Sequence, residues 1–185
     1  MDRLLPESSL LLVVDVQERL LSVMPDASRA RLLSNANVLL EAARLLGVPT
    51  MASEQYPKGL GPTAPPVADK LAEMSVTPRA KVCFDVCGDL GLARELSAAA
   101  PRAVVVLGME THICVFQTAR ELVRRGYDVF VAADAVASRS DDNRAMGLEL
   151  AARAGAFVAP TETIVFDWLR EAGSDAFKTI SKLVR

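Results

Sequence analysis

The segment Ala103-Val-Val-Val-Leu-Gly-Met-Glu-Thr-His-Ile-Cys114 joins an apolar run to a polar turn that ends in a cysteine. Its first residues, 103–107, are all apolar, which is typical of a buried strand in a parallel sheet. Val115 to Arg125 then has the spacing of an amphipathic helix that ends at Gly126. Cys114 thus lies beside the unpaired N–H groups of a helix start, where its pKa is expected to fall. The alternative is a small cysteine that only packs in the core.

Strand-like and helix-like segments alternate over the whole chain. Parallel strands need crossover connections, so this alternation predicts a three-layer α/β fold, an open six-stranded parallel sheet with helices on both faces. No linker or repeat interrupts the pattern, and we expect one domain over residues 1–185. The predicted strands are residues 10–14, 48–52, 80–84, 103–107, 127–132 and 156–159. Predicted helices begin near Asp26 or Ser28, Val67, Asp89, Val115, Ser140, Glu162 and Asp175, and residues 54–66 are predicted to form a long surface loop.

The composition argues against several classes of protein. Of the 185 residues, 51% are hydrophobic and the net charge is -2, so no basic surface favours nucleic acid as a partner. No apolar run approaches the roughly 20 residues of a membrane span, and the first residues lack the pattern of a secretory signal. The three cysteines, Cys83, Cys87 and Cys114, form no even disulfide framework. We therefore expect a cytoplasmic protein whose partners include neither membrane nor nucleic acid.

The carboxyl ends of the predicted strands select three polar residues. In an open parallel sheet, ligands bind outside these ends, where Asp15 follows the first strand, Lys81 belongs to the third and Cys114 follows the fourth. Asp15 alone has two further interpretations, as a turn cap or as a metal ligand with other acids. Three motif-based classes fail here. The chain has no Gly-x-Gly-x-x-Gly after its first strand, no Gly-Lys-Ser/Thr phosphate loop, and Gln17 where an aspartate-based phosphatase has a second Asp.

Three elements in this order resemble the isochorismatase-like cysteine hydrolases. They are Asp15 in Leu-Leu-Val-Val-Asp-Val-Gln, Lys81 ahead of Cys-Phe, and Cys114 in Gly-Met-Glu-Thr-His-Ile-Cys. Residues 54–61, 132–140 and 177–183 look like the subgroup of isochorismatase domain-containing proteins. The resemblance implies a Rossmann-type topology and a catalytic triad of these three residues. In that triad Cys114 is the nucleophile, Asp15 carries its proton to the leaving group, and Lys81 orients Asp15.

The turn before the cysteine has a further implication. In the family it contains a cis peptide bond that does not involve proline, which corresponds here to Met109–Glu110. The resemblance implies that the backbone N–H groups of Glu110 and Cys114 form an oxyanion hole. It also implies a homo-oligomer that hydrolyses a small amide, carbamoyl or related C–N substrate through an acyl-thioester. The alternatives are a binding protein without catalysis on the same scaffold and a thiol sensor that uses Cys83, Cys87 and Cys114.

Neither a metal nor another cofactor is expected. His112 is the only histidine of the chain, whereas a zinc site needs three or four ligands. The metal-dependent nicotinamidases, which are relatives, have an Asp-x-His-Pro element and a further histidine that this chain lacks. We expect His112 to line a small-molecule substrate pocket together with Gln17, Gln55 and Tyr56.

Two acidic residues depart from the pattern of the family. Asp85 stands where Ser is frequent, and its carboxylate is expected to compete with Asp15 for the Lys81 ammonium. Glu110 stands where a small Ala is frequent, which predicts a bulkier and more acidic pocket wall. Neither departure removes a residue of the triad.

Overall fold

A computed structural model describes residues 3–184, and a parallel sheet of six strands forms its centre. The strands are β1 Ser9–Val14, β2 Thr50–Gln55, β3 Arg79–Lys81, β4 Ala103–Met109, β5 Asp128–Ala137 and β6 Phe157–Ala159. They lie in the order β3-β2-β1-β4-β5-β6, and every neighbouring pair is parallel. The predicted α/β architecture is therefore confirmed. Met1 and Asp2, part of the segment that lacks a secretory pattern, and Arg185 lie outside the described residues.

The central strands β1 and β4 pair along their whole shared length, from Ser9 opposite Ala103 to Val14 opposite Gly108. Every residue of both strands is buried, because helices cover the two faces of the sheet. Side chains alternate between two apolar cores, so that Leu11 belongs to the core on one face and Val14 to the core on the other. Burial of each Leu or Val side chain contributes about 1.5–3 kcal/mol, which is why continuous apolar runs specify these strands.

Helices cover both faces of this sheet. In the described chain they are α1 Glu18–Ser22, α2 Asp26–Leu46, α3 Pro57–Leu60, α4 Pro65–Glu73, α5 Leu90–Ala99, α6 Phe116–Arg124, α7 Asp141–Arg153, α8 Thr161–Leu169 and α9 Asp175–Leu183. Buried residues of α2, α4, α8 and α9 form one apolar core with the sheet, and those of α5, α6 and α7 form the other. The helix starts predicted near Asp89 and Ser140 are confirmed, whereas neither Asp26 nor Ser28 caps α2, whose N-cap is Pro25. The Asp89 carboxylate accepts hydrogen bonds from Gly91 and Leu92 N–H, and Ser140 Oγ accepts one from Asn143 N–H.

Several boundaries differ from the sequence prediction, most of them near the carboxyl ends of strands; β5, for example, was predicted to end at residue 132 and continues to Ala137. β2 continues to Gln55, beyond its predicted end, because its polar last residues form hydrogen bonds inside the protein. β3 ends at Lys81, since the chain turns there and directs the carbonyls of Cys83 and Phe84 to the Lys81 ammonium. A π-helical turn, Thr111–Val115, precedes α6. The predicted long loop after β2 contains the short helix α3.

Candidate active site

Three strand ends bring Asp15, Lys81 and Cys114 to one edge of the sheet. Asp15 directly follows β1, Lys81 is the last residue of β3, and Cys114 lies in the π-helical turn after β4. Because β2 separates β3 from β1, Lys81 starts two strand spacings, or about 10 Å, away from the strand that carries Asp15. The long lysine side chain spans this gap, and Lys81 Nζ lies 2.7 Å from Asp15 Oδ2. The Asp15 carboxylate also lies close enough to the Cys114 thiol to raise its pKa.

The Asp15 carboxylate is held from both sides. Lys81 Nζ donates to Oδ2, and Ser53 Oγ donates to Oδ1, each at 2.7 Å. The Asp15 backbone N–H donates to the Ser53 carbonyl at 3.1 Å, so that β2 binds both the backbone and the side chain of Asp15. Asp15 has a φ of 52°, in the left-handed region that Asp tolerates better than most residues. This backbone conformation ends β1, and the carboxylate that follows binds the Lys81 ammonium.

The Lys81 ammonium lies in a cage of four oxygen acceptors. Besides Asp15, Nζ donates to Gln55 Oε1 at 2.8 Å and to the backbone carbonyls of Phe84 and Cys83 at 3.0 and 3.2 Å. The side chains of Lys81 and Asp15 have 0% exposure. A buried ion pair is tolerated when further hydrogen bonds offset the desolvation of its charges, and this cage supplies them.

Neither of the two acidic departures from the family pattern binds the Lys81 ammonium. Asp85 is not among the four acceptors, and its buried Oδ1 atom has no hydrogen-bond partner in the described part of the chain. The expected competition with Asp15 is therefore not observed. Glu110 is buried, and its Oε2 atom accepts hydrogen bonds from Arg139 N–H and Arg139 Nε, both at 3.0 Å. This ion pair compensates the negative charge of the pocket wall.

The surroundings raise the pKa of the Cys114 thiol, and the expectation of a lowered pKa is wrong. Burial is the largest cause of a rise in the pKa of Cys114 to about 12, and the Asp15 charge and its hydrogen bond act in the same direction. The Lys81 ammonium and the backbone N–H of Glu110 lower the pKa and compensate only in part. The helix start alone would lower the pKa, but desolvation of the thiolate dominates because Cys114 is only 5% exposed.

Two glycines allow the turn that carries Cys114 to approach its neighbours. The Met109–Glu110 peptide bond at the end of β4 is cis. One residue earlier, Gly108 has a φ of 129°, and a Cβ atom there would lie 1.9 Å from the Val14 carbonyl oxygen. Gly147 of α7 faces the other side of the turn, where a Cβ atom would lie 2.7 Å from the backbone nitrogen of His112. The turn is therefore fitted between β1 and α7 with no space for a methyl group at either contact.

Gln17 and Gln55, both expected in a substrate pocket, instead bind to each other and to the backbone. Gln17 Nε2 donates to the carbonyls of Gln55 and Gly61 at 3.1 and 2.6 Å, and Gln17 Oε1 accepts from Gln55 N–H at 2.7 Å. Gln55 Nε2 donates to the Val82 carbonyl at 2.8 Å, while its Oε1 atom accepts from Lys81. The polar atoms of both amides are thus engaged within the protein, and both side chains position the segments around Lys81.

Tyr56 and His112, the other two expected pocket residues, are more accessible. Tyr56 lines a cavity of about 340 Å³ together with Lys58, Val82 and Asp89. His112 is half-buried, and its Nδ1 atom lies 3.0 Å from Ser138 Oγ. Tyr56 therefore faces open space beside β3, whereas one nitrogen of His112 is engaged by a buried hydroxyl.

Sequence reasoning missed the residues that hold the triad. Ser53 binds Asp15 directly, Arg139 binds Glu110, and Ser138 contacts His112. A usable signal existed for Ser53, because it lies two positions before Gln55 and therefore on the same face of a strand. Polar residues at alternating positions of an otherwise buried strand indicate a common polar partner at the sheet end.

Two general properties bear on the site. Within residues 3–184, no group of three or more His, Cys, Asp or Glu side chains is arranged to hold a metal ion. Over the same range, no helix has both the length and the apolar composition needed to cross a membrane.

The fold and the site define an α/β protein with a buried aspartate, lysine and cysteine at the carboxyl edge of a parallel sheet. The family described as "Isochorismatase domain" matches residues 9–163. The chain belongs to this family of isochorismatase-like hydrolases, and the resemblance stated from the sequence is confirmed.

Individual relatives and structures agree with this assignment. Isochorismatase domain-containing protein 2A of Mus musculus is 37% identical over 184 residues, 99% of this chain and 85% of the relative. A secreted isochorismatase effector, Isc1 of Phytophthora sojae, is 36% identical over 99% of this chain and 87% of its own.

Two solved structures share the fold. The MAR1 ribonuclease of Caenorhabditis elegans has a TM-score of 0.90 at 33% identity, covering 99% of this chain and 92% of its own. The YcaC gene product of Escherichia coli, described as an octameric hydrolase of unknown specificity, has a TM-score of 0.90 at 21% identity, covering 98% and 90%.

Proposed function

We propose that this protein is a metal-independent cysteine hydrolase of a small amide, carbamoyl compound or related C–N substrate. The observation that carries the proposal is one buried carboxylate, Asp15, which accepts a hydrogen bond from the Lys81 ammonium and lies close enough to the Cys114 thiol to raise its pKa. A base next to a thiol is the arrangement that activates a nucleophile. Membership in a hydrolase family supports the same class of reaction.

The first half of the proposed reaction begins from a neutral thiol. Cys114 transfers its proton to Asp15 as the sulfur attacks the substrate carbonyl carbon, and the carbonyl oxygen becomes an oxyanion. Asp15 then gives this proton to the substrate nitrogen, the C–N bond breaks, and an amine leaves. An acyl-thioester on Cys114 remains. A thiol with a pKa of about 12 needs this coupled transfer, because almost no thiolate exists at neutral pH.

The second half uses the same residues in reverse. Asp15 takes a proton from water, the hydroxide adds to the thioester carbon, and the C–S bond breaks. The sulfur recovers the proton from Asp15, and a carboxylic or carbamic acid leaves. Lys81 keeps Asp15 oriented through both halves, since its ammonium is held by acceptors besides the carboxylate. The backbone N–H groups of Glu110 and Cys114 are the proposed donors to the oxyanion.

The experiment that tests this proposal is a substrate panel of amides, carbamoyl compounds and nitriles, read by release of amine or ammonia. Rapid acid quench and mass spectrometry of each active reaction should show the acyl group on the peptide that contains Cys114. Cys114→Ala should abolish turnover. The matched control is Cys87→Ala, which removes another buried cysteine and should leave turnover unchanged. Full turnover by Cys114→Ala on a genuine substrate would disprove the proposal.

A second candidate activity is the cleavage of RNA, which needs a separate test substrate. The Caenorhabditis elegans protein that shares this fold at 33% identity is described as a ribonuclease. A single-stranded RNA oligonucleotide therefore belongs among the test substrates, although the net charge of -2 does not favour RNA binding. RNA cleavage that survives in Cys114→Ala would indicate a different site from the one described above.

The remaining expectations are part of the same proposal. We propose a homo-oligomer in the cytoplasm that acts on a small molecule without a cofactor. The Escherichia coli YcaC protein, which shares the fold, is described as an octamer. The Phytophthora sojae effector, a relative of this chain, is described as secreted. A binding protein would bind members of the panel without turnover, and a thiol sensor would form a disulfide between Cys83 and Cys87 under mild oxidant.

A further inference from the structure

We infer that Arg139 is a positioning residue for the reaction, because it holds the Glu110 carboxylate and cancels its charge next to the proposed oxyanion hole. The inference rests on the proposed function, in which the backbone N–H of Glu110 binds the oxyanion. It concerns a pair of residues outside the triad, and it explains how a buried carboxylate is tolerated beside a site that must stabilise negative charge.

The strand register brings Arg139 to the turn that carries Cys114. β4 and β5 are paired up to their last residues, so the residues that follow, Glu110 and Ser138, leave the sheet side by side. Ser138 is fully buried, and its Oγ atom lies 3.0 Å from His112 Nδ1. Arg139, the next residue, binds Glu110. Two consecutive residues of the connection between β5 and α7 therefore hold two residues of the turn.

The Glu110 carboxylate is buried close to the reacting sulfur. Its side chain is 6% exposed, so water does little to screen its charge. The backbone N–H of the same residue lies close enough to the Cys114 thiol to lower its pKa. Covalent geometry keeps a glutamate carboxylate within about 6 Å of its own backbone nitrogen. At such a distance from the sulfur or the oxyanion, a free negative charge would disfavour a second one by about 10- to 100-fold.

Arg139 supplies the compensating charge from the solvent side. Its backbone N–H and its Nε atom both donate to Glu110 Oε2, each at 3.0 Å. The Arg139 side chain is 57% exposed, so the guanidinium keeps much of its hydration while one of its N–H groups reaches the buried carboxylate. Two donors from one residue fix the position of the carboxylate and neutralise it at the same time.

The test compares Arg139→Met, Glu110→Gln and the double variant by the rate at which iodoacetamide alkylates Cys114 at mildly alkaline pH. Arg139→Met should react about 10-fold more slowly or less, because a free carboxylate then disfavours the thiolate. Glu110→Gln should react faster than the wild-type chain, because the Arg139 charge is then unopposed. The double variant removes both charges and should return close to the wild-type rate.

The matched control is Arg153→Met, since Arg153 pairs with Glu149 on the surface of α7 and should leave the alkylation rate unchanged. Melting curves check the folding of every variant. On any substrate found in the panel, kcat should follow the same order as alkylation while KM changes little, because the oxyanion exists only in and near the transition state.

Each outcome has one interpretation. Faster alkylation of Arg139→Met would show that Arg139 only closes the turn over the sulfur, and a double variant as slow as Arg139→Met would show that the Glu110 charge is not the cause. Either result overturns the inference and leaves the hydrolase proposal to the substrate panel. The expected order of alkylation without any turnover would support the charge pairing and count against the hydrolase alone. If Arg139→Met does not fold, Glu110→Gln decides, and alkylation no faster than in the wild-type chain would contradict the inference.

Discussion

The centre of the sheet and its β3 edge are specified by different interactions. At the centre, every residue of β1 and β4 is buried, and apolar packing on both faces selects the strands. At the edge, β3 has three residues, of which Arg79 and Ala80 are exposed, and it pairs only with β2. This edge strand nevertheless supplies the buried ammonium of Lys81. The comparison shows that hydrogen bonds to one buried charge can define the end of a strand that packing leaves undefined.

The strongest test of the centre is Gly108→Ala. A Cβ atom there would lie 1.9 Å from the Val14 carbonyl, and backbone atoms cannot move aside without disrupting the pairing of β1 with β4. We expect the free energy of unfolding, measured in urea, to fall by more than about 4 kcal/mol. The control is Gly126→Ala, which has a φ of 90° and nothing within 4 Å, and should cost about 1–2 kcal/mol. Equal losses in the two variants would contradict the role assigned to close packing.

The corresponding test of the edge is Lys81→Met. It leaves the Asp15 carboxylate buried without its cation, and we expect the free energy of unfolding to fall by about 3–5 kcal/mol. Lys178→Met is the control, since Lys178 pairs with Asp175 on the surface and should change stability by less than about 1 kcal/mol. The double variant Asp15→Asn with Lys81→Met should be more stable than Lys81→Met alone. If it is not, the loss does not come from an unpaired carboxylate.

Asp15→Asn sharpens the comparison, because turnover should fall while alkylation of Cys114 should become faster. Turnover on any substrate found in the panel should fall by about 10²–10⁴-fold, as the general base is lost. The pKa of Cys114 should fall as well, since the negative charge and the hydrogen bond of Asp15 both raise it. Alkylation of Cys114 by iodoacetamide at mildly alkaline pH should therefore be faster in the variant, with melting curves as the control for folding. Slower alkylation would show that Asp15 stabilises a thiolate at rest.

The smallest expected effect is a loss of stability in alkaline solution. The thiol of Cys114 ionises near its ordinary value of 9.0 in the unfolded chain but only at about 12 in the folded one. Between these values the folded state binds more protons, so stability is full below pH 9.0 and falls as the pH rises towards 12. Cys114→Ala should show a shallower decline between pH 8 and 11 than the wild-type chain, measured by urea unfolding. Parallel curves would mean that burial does not raise this pKa.

Strand positions were predictable where burial alone decides them. β1 and β4 have continuous apolar runs because both of their faces are covered, and Asp15 and Cys114 were found from the ends of those runs. The extent of β2 and β3 was not predictable in the same way. Their last residues are polar, and the partners that hold them, such as Gln17 for Gln55, are distant in the sequence.

The protonation state of Cys114 was also beyond a sequence argument. The helix start next to it is visible in the sequence, whereas desolvation depends on how closely Gly147 of α7 and the end of β1 approach the turn. Likewise, the pairing of Glu110 with Arg139 joins residues on two different connections. The helix start beside Cys114 could be predicted because it follows from local spacing in the sequence. The pKa of Cys114 and the partner of Glu110 could not, because both depend on how closely elements distant in the sequence approach each other.

Ser53 and Gln55 make the length of β2 important for the site, because their positions along the strand determine where its polar groups lie. They occupy alternate positions, so one face of the strand presents a hydroxyl to Asp15 and an amide to Lys81. Deletion of a single residue earlier in β2 would turn both groups to the opposite face and leave both charges without these partners. Libraries made to change the substrate range should therefore keep the length of β2 constant and vary the sequence around Tyr56, where the chain faces open space.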